Sequence, residues 1–177
     1  MNLKEKTLNS QNIYKGKILD LNLDKVELPD GSTSYREYVI HNGGVGVLVV
    51  LNNKALLVKQ FRYPYKEVIY EIPAGKLEKG EDPQEAGKRE LQEECGIVAK
   101  ELKFLSCLYP TPGYTSEKLY VYFCNEFFVG KQKLDKGEFL VYDWIELDKL
   151  YEMIKSGELK DAKTVFALLA YKSGLYE

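Results

Sequence analysis

Residues 75–97 read GKLEKGEDPQEAGKRELQEECGI, from Gly75 to Ile97. Asp82-Pro83 opens a helix within this stretch. Asp82 serves as N-cap, Pro83 fits the first turn, and Glu85 completes a capping-box pattern. Gly96 supplies the left-handed residue that ends it. Inside that helix Glu90, Glu93 and Glu94 stand at i, i+3 and i+4, three carboxylates on one face. Like charges at such spacing cost an isolated helix roughly 0.2–0.5 kcal/mol per pair, so the cluster needs a compensating gain. Three carboxylates on one rigid helix make an oxygen-rich site for a hard divalent cation, Mg²⁺ above all. Pro73-Ala74-Gly75 is expected to bring backbone carbonyls close to the helix, with Gly75 permitting an unusual turn. Arg89, four residues after Glu85 and four before Glu93, is placed to orient carboxylates. A metal held there polarises a phosphoryl oxygen and lowers the pKa of a bound water.

Working outward, Leu19, Leu21 and Leu23 alternate with Asp20, Asn22 and Asp24, which predicts a half-buried strand over 17–28. Pro29-Asp30-Gly31 supplies a tight turn, and a second strand around Tyr35–Ile40 closes the hairpin. His41-Asn-Gly-Gly44 reads as a hinge. Val45–Leu51 and Ala55–Phe61 pair around Asn52-Asn53, and Val68–Ile72 is a short strand halted by Pro73. Further strands are expected near Glu101–Leu108, Leu119–Asn125 and Phe139–Glu146, and helices near Leu147–Lys155 and Asp161–Lys172. Many strands with few helices between them predict a mixed sheet flanked by helices.

The chain has 177 residues, 45% hydrophobic and 29% charged, with net charge −2. One domain with a small subdomain fits that length. Without a basic stripe, nucleic acid is not an expected partner. No apolar run is long enough to span a bilayer, so no membrane partner is expected. Cys95, Cys107 and Cys124 form no CxxC pair and predict reduced thiols. With no apolar leader at the start, the expected location is cytoplasmic.

The pattern from Gly75 to Ile97 has Gly, five residues, Glu81, seven residues, then Arg89-Glu90-Leu91-x-Glu93-Glu94-x-Gly96-Ile97. It resembles the Nudix box at every specified position, a match expected by chance on the order of 10⁻⁹ per start site. SYREYVIHNGGVGVLVV, LLVKQFRY, YEIPAGKLEKGE, YPTPGYTSEKLYVYF and DAKTVFALLAY resemble segments of ADP-ribose pyrophosphatases within the Nudix superfamily. Pro112 matches the proline that marks this subfamily. The resemblance implies an α/β (α+β) fold: a Nudix α/β/α sandwich with a mixed β-sheet over residues 43–177, plus an N-terminal antiparallel strand region over 1–42.

Carried over position by position, it makes the Ala74 carbonyl, Glu90 and Glu94 metal ligands, with Glu93 a further metal or water contact. Arg36 and Glu37 match a substrate-site pair, and Arg62 matches a phosphate-contacting arginine, a role that suits a bidentate guanidinium. Glu117 matches a glutamate that helps bind ligand or metal. Glu138 lies in a segment resembling an acidic mobile loop. Some relatives carry another glutamate two residues before that position, where this chain has Lys136. A lysine of ordinary pKa is protonated at neutral pH, which leaves Glu138 or Glu93 as base. The implied activity is Mg²⁺-dependent hydrolysis of ADP-ribose to AMP and ribose 5-phosphate, with Mn²⁺ as a possible substitute. GDP-mannose, another nucleotide sugar and NADH are the alternative substrates. A homodimer whose N-terminal strands reach the partner is also implied.

Overall fold

The computed structural model of the chain describes residues 2–175. The hairpin expected from Pro29-Asp30-Gly31 turns at Leu28–Ser32, where Gly31 has φ +84° and its N–H donates to the Leu28 carbonyl at 3.0 Å. Asp30 fixes the turn by accepting from the Ser32 N–H (2.9 Å) and hydroxyl (2.6 Å). That turn joins β2 (Leu19–Glu27) to β3 (Thr33–His41). A third strand, β1 (Lys6–Lys15), pairs antiparallel with β2 and completes the order β1-β2-β3. Sequence periodicity misses β1: KTLNSQNIYK lacks alternation, and every residue of the strand is exposed.

This sheet belongs to one compact unit, residues 2–43 together with Tyr109–Lys118. The boundary differs from the 1–42 and 43–177 division. Tyr109–Lys118 joins the first unit because β3 uses its free edge there. The Val39 N–H donates to the Tyr114 carbonyl at 2.8 Å, and the Ser116 N–H donates to the Val39 carbonyl at 2.9 Å.

The second unit, Gly44–Leu108 with 119–175, holds the remaining elements. These are β4 (Gly44–Leu51), β5 (Lys54–Arg62), β6 (Glu67–Glu71), β7 (Ala74–Lys76), α1 (Pro83–Cys95), β8 (Ile97–Ala99), β9 (Lys103–Leu108), β10 (Leu119–Cys124), β11 (Phe127–Val129), β12 (Leu140–Glu146), α2 (Leu147–Ser156) and α3 (Ala162–Lys172). The main sheet runs β12-β5-β4-β10-β9, with β6 on β5 and β7 on β4. β10 lies parallel to β4 and the other pairings are antiparallel, so the sheet is mixed. Asn52 and Asn53, at φ +49° and +61°, form the turn between β4 and β5.

β4 is buried on both faces and its side chains divide by the period of two. Leu48 and Val50 join a core with Leu150 and Leu168 of α2 and α3, while Val45, Val47 and Val49 pack with Ala86 and Leu91 of α1. Helices thus cover both faces, giving an α/β/α sandwich. No described helix is long and apolar enough to cross a membrane.

α1 starts and stops as its sequence dictates. Asp82 accepts from the N–H groups of Gln84 (2.9 Å) and Glu85 (3.1 Å), and Gly96 closes the helix at φ +66°. The expected capping box is only half formed, because the Glu85 carboxylate takes the Lys88 ammonium (2.8 Å). The short ribbon β8–β11 was not expected, since three residues are too few to show a period.

Candidate active site

Four elements of the second unit meet around the acidic face of α1. Glu94, deepest on that face, is 1% exposed. Its carboxylate accepts the Ala74 N–H at 2.9 Å, which pins β7 against the helix. Glu90 is half-buried against Gly75. A Cβ on Gly75 would stand 1.9 Å from the Glu90 carboxyl carbon, so only glycine leaves room for that carboxylate. This corrects the reason for Gly75: the residue lies in extended β7, and close approach, not an unusual turn, requires it.

Arg89 gathers the rest of the cluster. It donates to Glu81 (2.9 and 3.1 Å), Glu90 (2.8 Å) and Glu93 (3.0 Å). Hydrogen bonds from Arg89 hold the Glu81 carboxyl below the usual range. Glu90 is shifted the other way, raised by burial despite Arg89, with Glu93 and Glu138 adding repulsion. Among the described residues no cation pairs with Glu94, and burial raises its carboxyl to about 8 against the opposing Ala74 hydrogen bond.

The loop from Gly130 to Glu138 is tied to the carbonyl end of α1. Gly130 N–H donates to the Gly96 carbonyl (2.6 Å) and Lys133 N–H to the Glu93 carbonyl (2.9 Å). The Gln132 amide donates to the Glu94 carbonyl at 2.6 Å. These bonds satisfy carbonyls that a helix end leaves free. Leu134 packs on the α1 side of the core. Beyond this anchor, Asp135 and Glu138 close a turn through Glu138 N–H to the Asp135 carbonyl (3.0 Å) and Gly137 at φ +88°. The Glu138 charge is felt by both Glu90 and Glu94. Lys136 occupies the same turn.

Arg62, at the end of β5, is held as a fork. Its Nε and Nη2 donate to the two oxygens of Glu71 at 2.5 and 2.7 Å. Glu71 is 1% exposed and also receives the Lys163 ammonium. Burial would lift the Glu71 carboxyl, but Arg62 and Lys163 outweigh it and hold it below the ordinary value. Glu94 and Asp161 both act on the Arg62 charge, which puts the guanidinium within electrostatic reach of the acidic face. The roles of Glu71, Lys163 and Gln132 are not legible in the sequence pattern. The first two are signalled only by lying in segments, YEIPAG and DAKT, that resemble the family.

Arg36, Glu37 and Glu117 belong to the first unit. Arg36 donates through Nε and Nη2 to Glu5 at 2.9 and 2.6 Å. Glu37 is exposed on β3 opposite Leu23. Glu117 lies 3.6 Å from His41 Nδ1.

The donor set of the second unit is carboxylate and carbonyl oxygen, which suits a hard cation. A buried acid without a counter-charge is the group such a cation would compensate. Among the described residues no group of three or more His, Cys, Asp or Glu side chains is arranged to hold a metal ion by itself. Mg²⁺ does not require one, because one or two carboxylates, waters and substrate phosphates usually complete its shell.

Comparison with known proteins agrees with this chemistry. Residues 40–168 match the NUDIX domain, and residues 5–39 match the nucleoside diphosphate sugar hydrolase N-terminal domain. An ADP-ribose pyrophosphatase from Bacillus subtilis (strain 168) is 43% identical over 169 residues, covering 94% of this chain and 91% of its own. A methanol dehydrogenase activator from Bacillus methanolicus is 39% identical over 93% of this chain and 91% of its own. The crystal structure of an ADP compounds hydrolase superposes with a TM-score of 0.88 over 99% of this chain and 96% of the other; at 21% identity it shows a shared fold.

Proposed function

We infer the substrate of this chain from the premise that it belongs to the Nudix family, whose domain it carries over residues 40–168. It is a nucleoside diphosphate sugar hydrolase, and the reading assigns it ADP-ribose, with AMP and ribose 5-phosphate as products. The resemblance to an ADP-ribose pyrophosphatase at 43% identity supports that substrate.

The observation that carries the reading is Glu94, a carboxylate buried at 1% exposure that forms no ion pair among the described residues. Mg²⁺, or Mn²⁺ in its place, would be held by Glu90, Glu94 and the Ala74 carbonyl with Glu93 as a further contact. When bound, it supplies Lewis-acid polarisation of phosphoryl oxygens and acidifies a water. The residues of the chain do the rest. Arg62 grips the diphosphate and offsets charge that develops on its oxygens. Arg89 keeps Glu90 and Glu93 aligned. Glu138 or Glu93 takes the proton from the attacking water. Arg36 and Glu37 form the substrate-site pair, with Glu37 accepting from an adenine amino group or a ribose hydroxyl, and Glu117 helps bind ligand or metal.

In the same reading the molecule is a cytoplasmic homodimer, with Arg36 and Glu37 serving the neighbour's site. Free Cys95, Cys107 and Cys124 support a reducing compartment. Exposed Leu8, Ile13, Tyr14, Tyr35 and Ile40 in the first unit support a self-association surface.

A substrate panel with Mg²⁺ tests the function. ADP-ribose is expected to give the highest kcat/KM. A clearly higher value for GDP-mannose, another nucleotide sugar or NADH overturns the assignment.

A further inference from the structure

Outside the carboxylates of α1, the buried charged side chains among the described residues are Glu71, Asp24 and Lys163, at 1%, 8% and 9% exposure, and of these Glu71 and Lys163 meet each other. Lys163 lies in the first turn of α3, whose N-cap is Asp161. Asp161 accepts Lys163 Nζ at 2.9 Å through one oxygen, and the Thr164 N–H (3.0 Å) and hydroxyl (2.5 Å) through the other. The Thr164 hydroxyl oxygen in turn accepts the Ile72 N–H at 2.8 Å. One helix turn therefore fixes both the backbone at Ile72 and the side chain at Glu71. Two residues further on, Ala74 holds Glu94.

We propose that Lys163 is a positioning residue for the substrate diphosphate, acting through Glu71 to keep the Arg62 guanidinium oriented and available to the phosphates. The proposal rests on the reading of Arg62 as the phosphate contact. Three features carry it. First, the Glu71 carboxylate takes two of the five N–H donors of Arg62, which locks the planar fork and leaves its other donors pointing away from Glu71. A long side chain at a strand end would otherwise sample many rotamers.

Second, Arg62 and Glu71 alone form a neutral pair with little attraction for an anion. Lys163 lies on the same Glu71 oxygen that receives Arg62 Nη2, so the carboxylate divides its charge between two cations and neutralises Arg62 less completely, although with Asp161 on Lys163 the four groups sum to zero. Asp161 divides its own charge between Lys163 and the N-terminus of α3. Third, Lys163 is too deeply buried to be spent on surface contacts, whereas the Arg62 side chain is 39% exposed. The buried cation compensates the carboxylate, and the half-exposed cation remains free to meet a ligand.

A double-mutant cycle reads the difference. ADP binding in Mg²⁺ is measured by calorimetry for wild type, Lys163→Met, Arg62→Ala and the double variant, with ADP-ribose kinetics in parallel. Lys163→Met is expected to weaken ADP binding about tenfold in wild type, the scale of one charge-assisted hydrogen bond. In the Arg62→Ala background it should weaken binding by less than about twofold, because coupled residues are not additive. KM for ADP-ribose should rise while kcat changes far less, and Lys163→Arg should recover most of the loss. Equal weakening in both backgrounds, or no weakening in wild type, overturns the proposal. Should Lys163→Met not yield folded protein, Glu71→Gln takes its place with the same expected coupling. A coupled cycle on ADP without ADP-ribose turnover rejects the assigned substrate and supports the positioning role. Turnover with an additive cycle rejects the positioning role alone.

Discussion

Glu71 and Glu94 are equally buried, at 1% exposure each, yet their surroundings are electrostatically opposite. Glu71 closes β6 between two cations, Arg62 and Lys163, and its carboxyl is held below the ordinary value even though burial pushes the other way. Glu94 sits in α1 with a single backbone N–H and the repulsion of Glu90, Glu138 and Glu71 around it, and burial raises it to about 8. Desolvation is common to both; compensation is not. A buried acid whose charge is matched by the protein is a finished piece of structure. One whose charge is unmatched is destabilising by itself and marks where something positive belongs.

The same substitution at both positions is the strongest way to break that comparison. Glu94→Gln should lower kcat by more than about a hundredfold, since even the outer partners of metal ligands are worth ten- to a hundredfold. In metal-free buffer it should be as stable as wild type or more so, because it removes an unmatched charge. Glu71→Gln should do the reverse for stability. It leaves Lys163 short of its counter-ion, and breaking a buried pair costs about 3–5 kcal/mol. Urea unfolding in chelator reads both variants. If Glu94→Gln proves as destabilising as Glu71→Gln, the two acids are alike and the contrast is lost.

Gly75→Ala sharpens the contrast by moving a carboxylate without changing charge. The added Cβ would meet the Glu90 carboxyl at 1.9 Å, so Glu90 or β7 must shift. Activity should fall roughly ten- to a hundredfold, the cost of misplacing a reacting geometry by about an ångström. Steady-state kinetics alongside a thermal melt checks this. Wild-type kcat in the variant would mean that the Glu90 position is not demanding.

The two acids also differ in how far the sequence announces them. Glu94 is legible because its spacing from Glu90, Glu93, Gly75 and Gly96 is a local pattern, and the caps at Asp82 and Gly96 define its helix unaided. β4, a continuous apolar run ending at an Asn-Asn turn, is legible for the same reason. Glu71 reads only as a polar residue ending a short strand. Its partner Lys163 lies 92 positions away, a separation no periodicity spans. Other misses share that origin. β1 has no exposed-and-buried alternation to detect, because its pairing with β2 is made by backbone and its side chains are all exposed. Tyr109–Lys118 is captured by the free edge of β3, a tertiary event. The role of Gly75 was misjudged because a glycine in sequence does not say whether it frees a turn or vacates space.

The last expectation concerns pH, and its sign separates the two acids. For Glu94 the folded pKa of about 8 lies above the ordinary glutamate value of about 4.3. Between those values the metal-free native state holds a proton that the unfolded chain has released. Stability then falls as pH rises, with the favourable contribution fully present below about pH 4.3 and lost on approaching 8. For Glu71 the folded pKa lies below the unfolded one. There the unfolded chain binds the extra proton, so the contribution is present above about pH 4.3 and lost as pH falls beneath it. Melting temperatures of metal-free protein across pH 5 to 8 should therefore decline in wild type and flatten in Glu94→Gln, while Glu71→Gln retains the decline. Mg²⁺ should stabilise more at pH 8 than at pH 6, because the proton on Glu94 must leave before its oxygens can coordinate. A Glu94→Gln profile as steep as wild type would show that this carboxylate keeps its ordinary pKa. The unmatched charge on which the contrast rests would then lie elsewhere on α1.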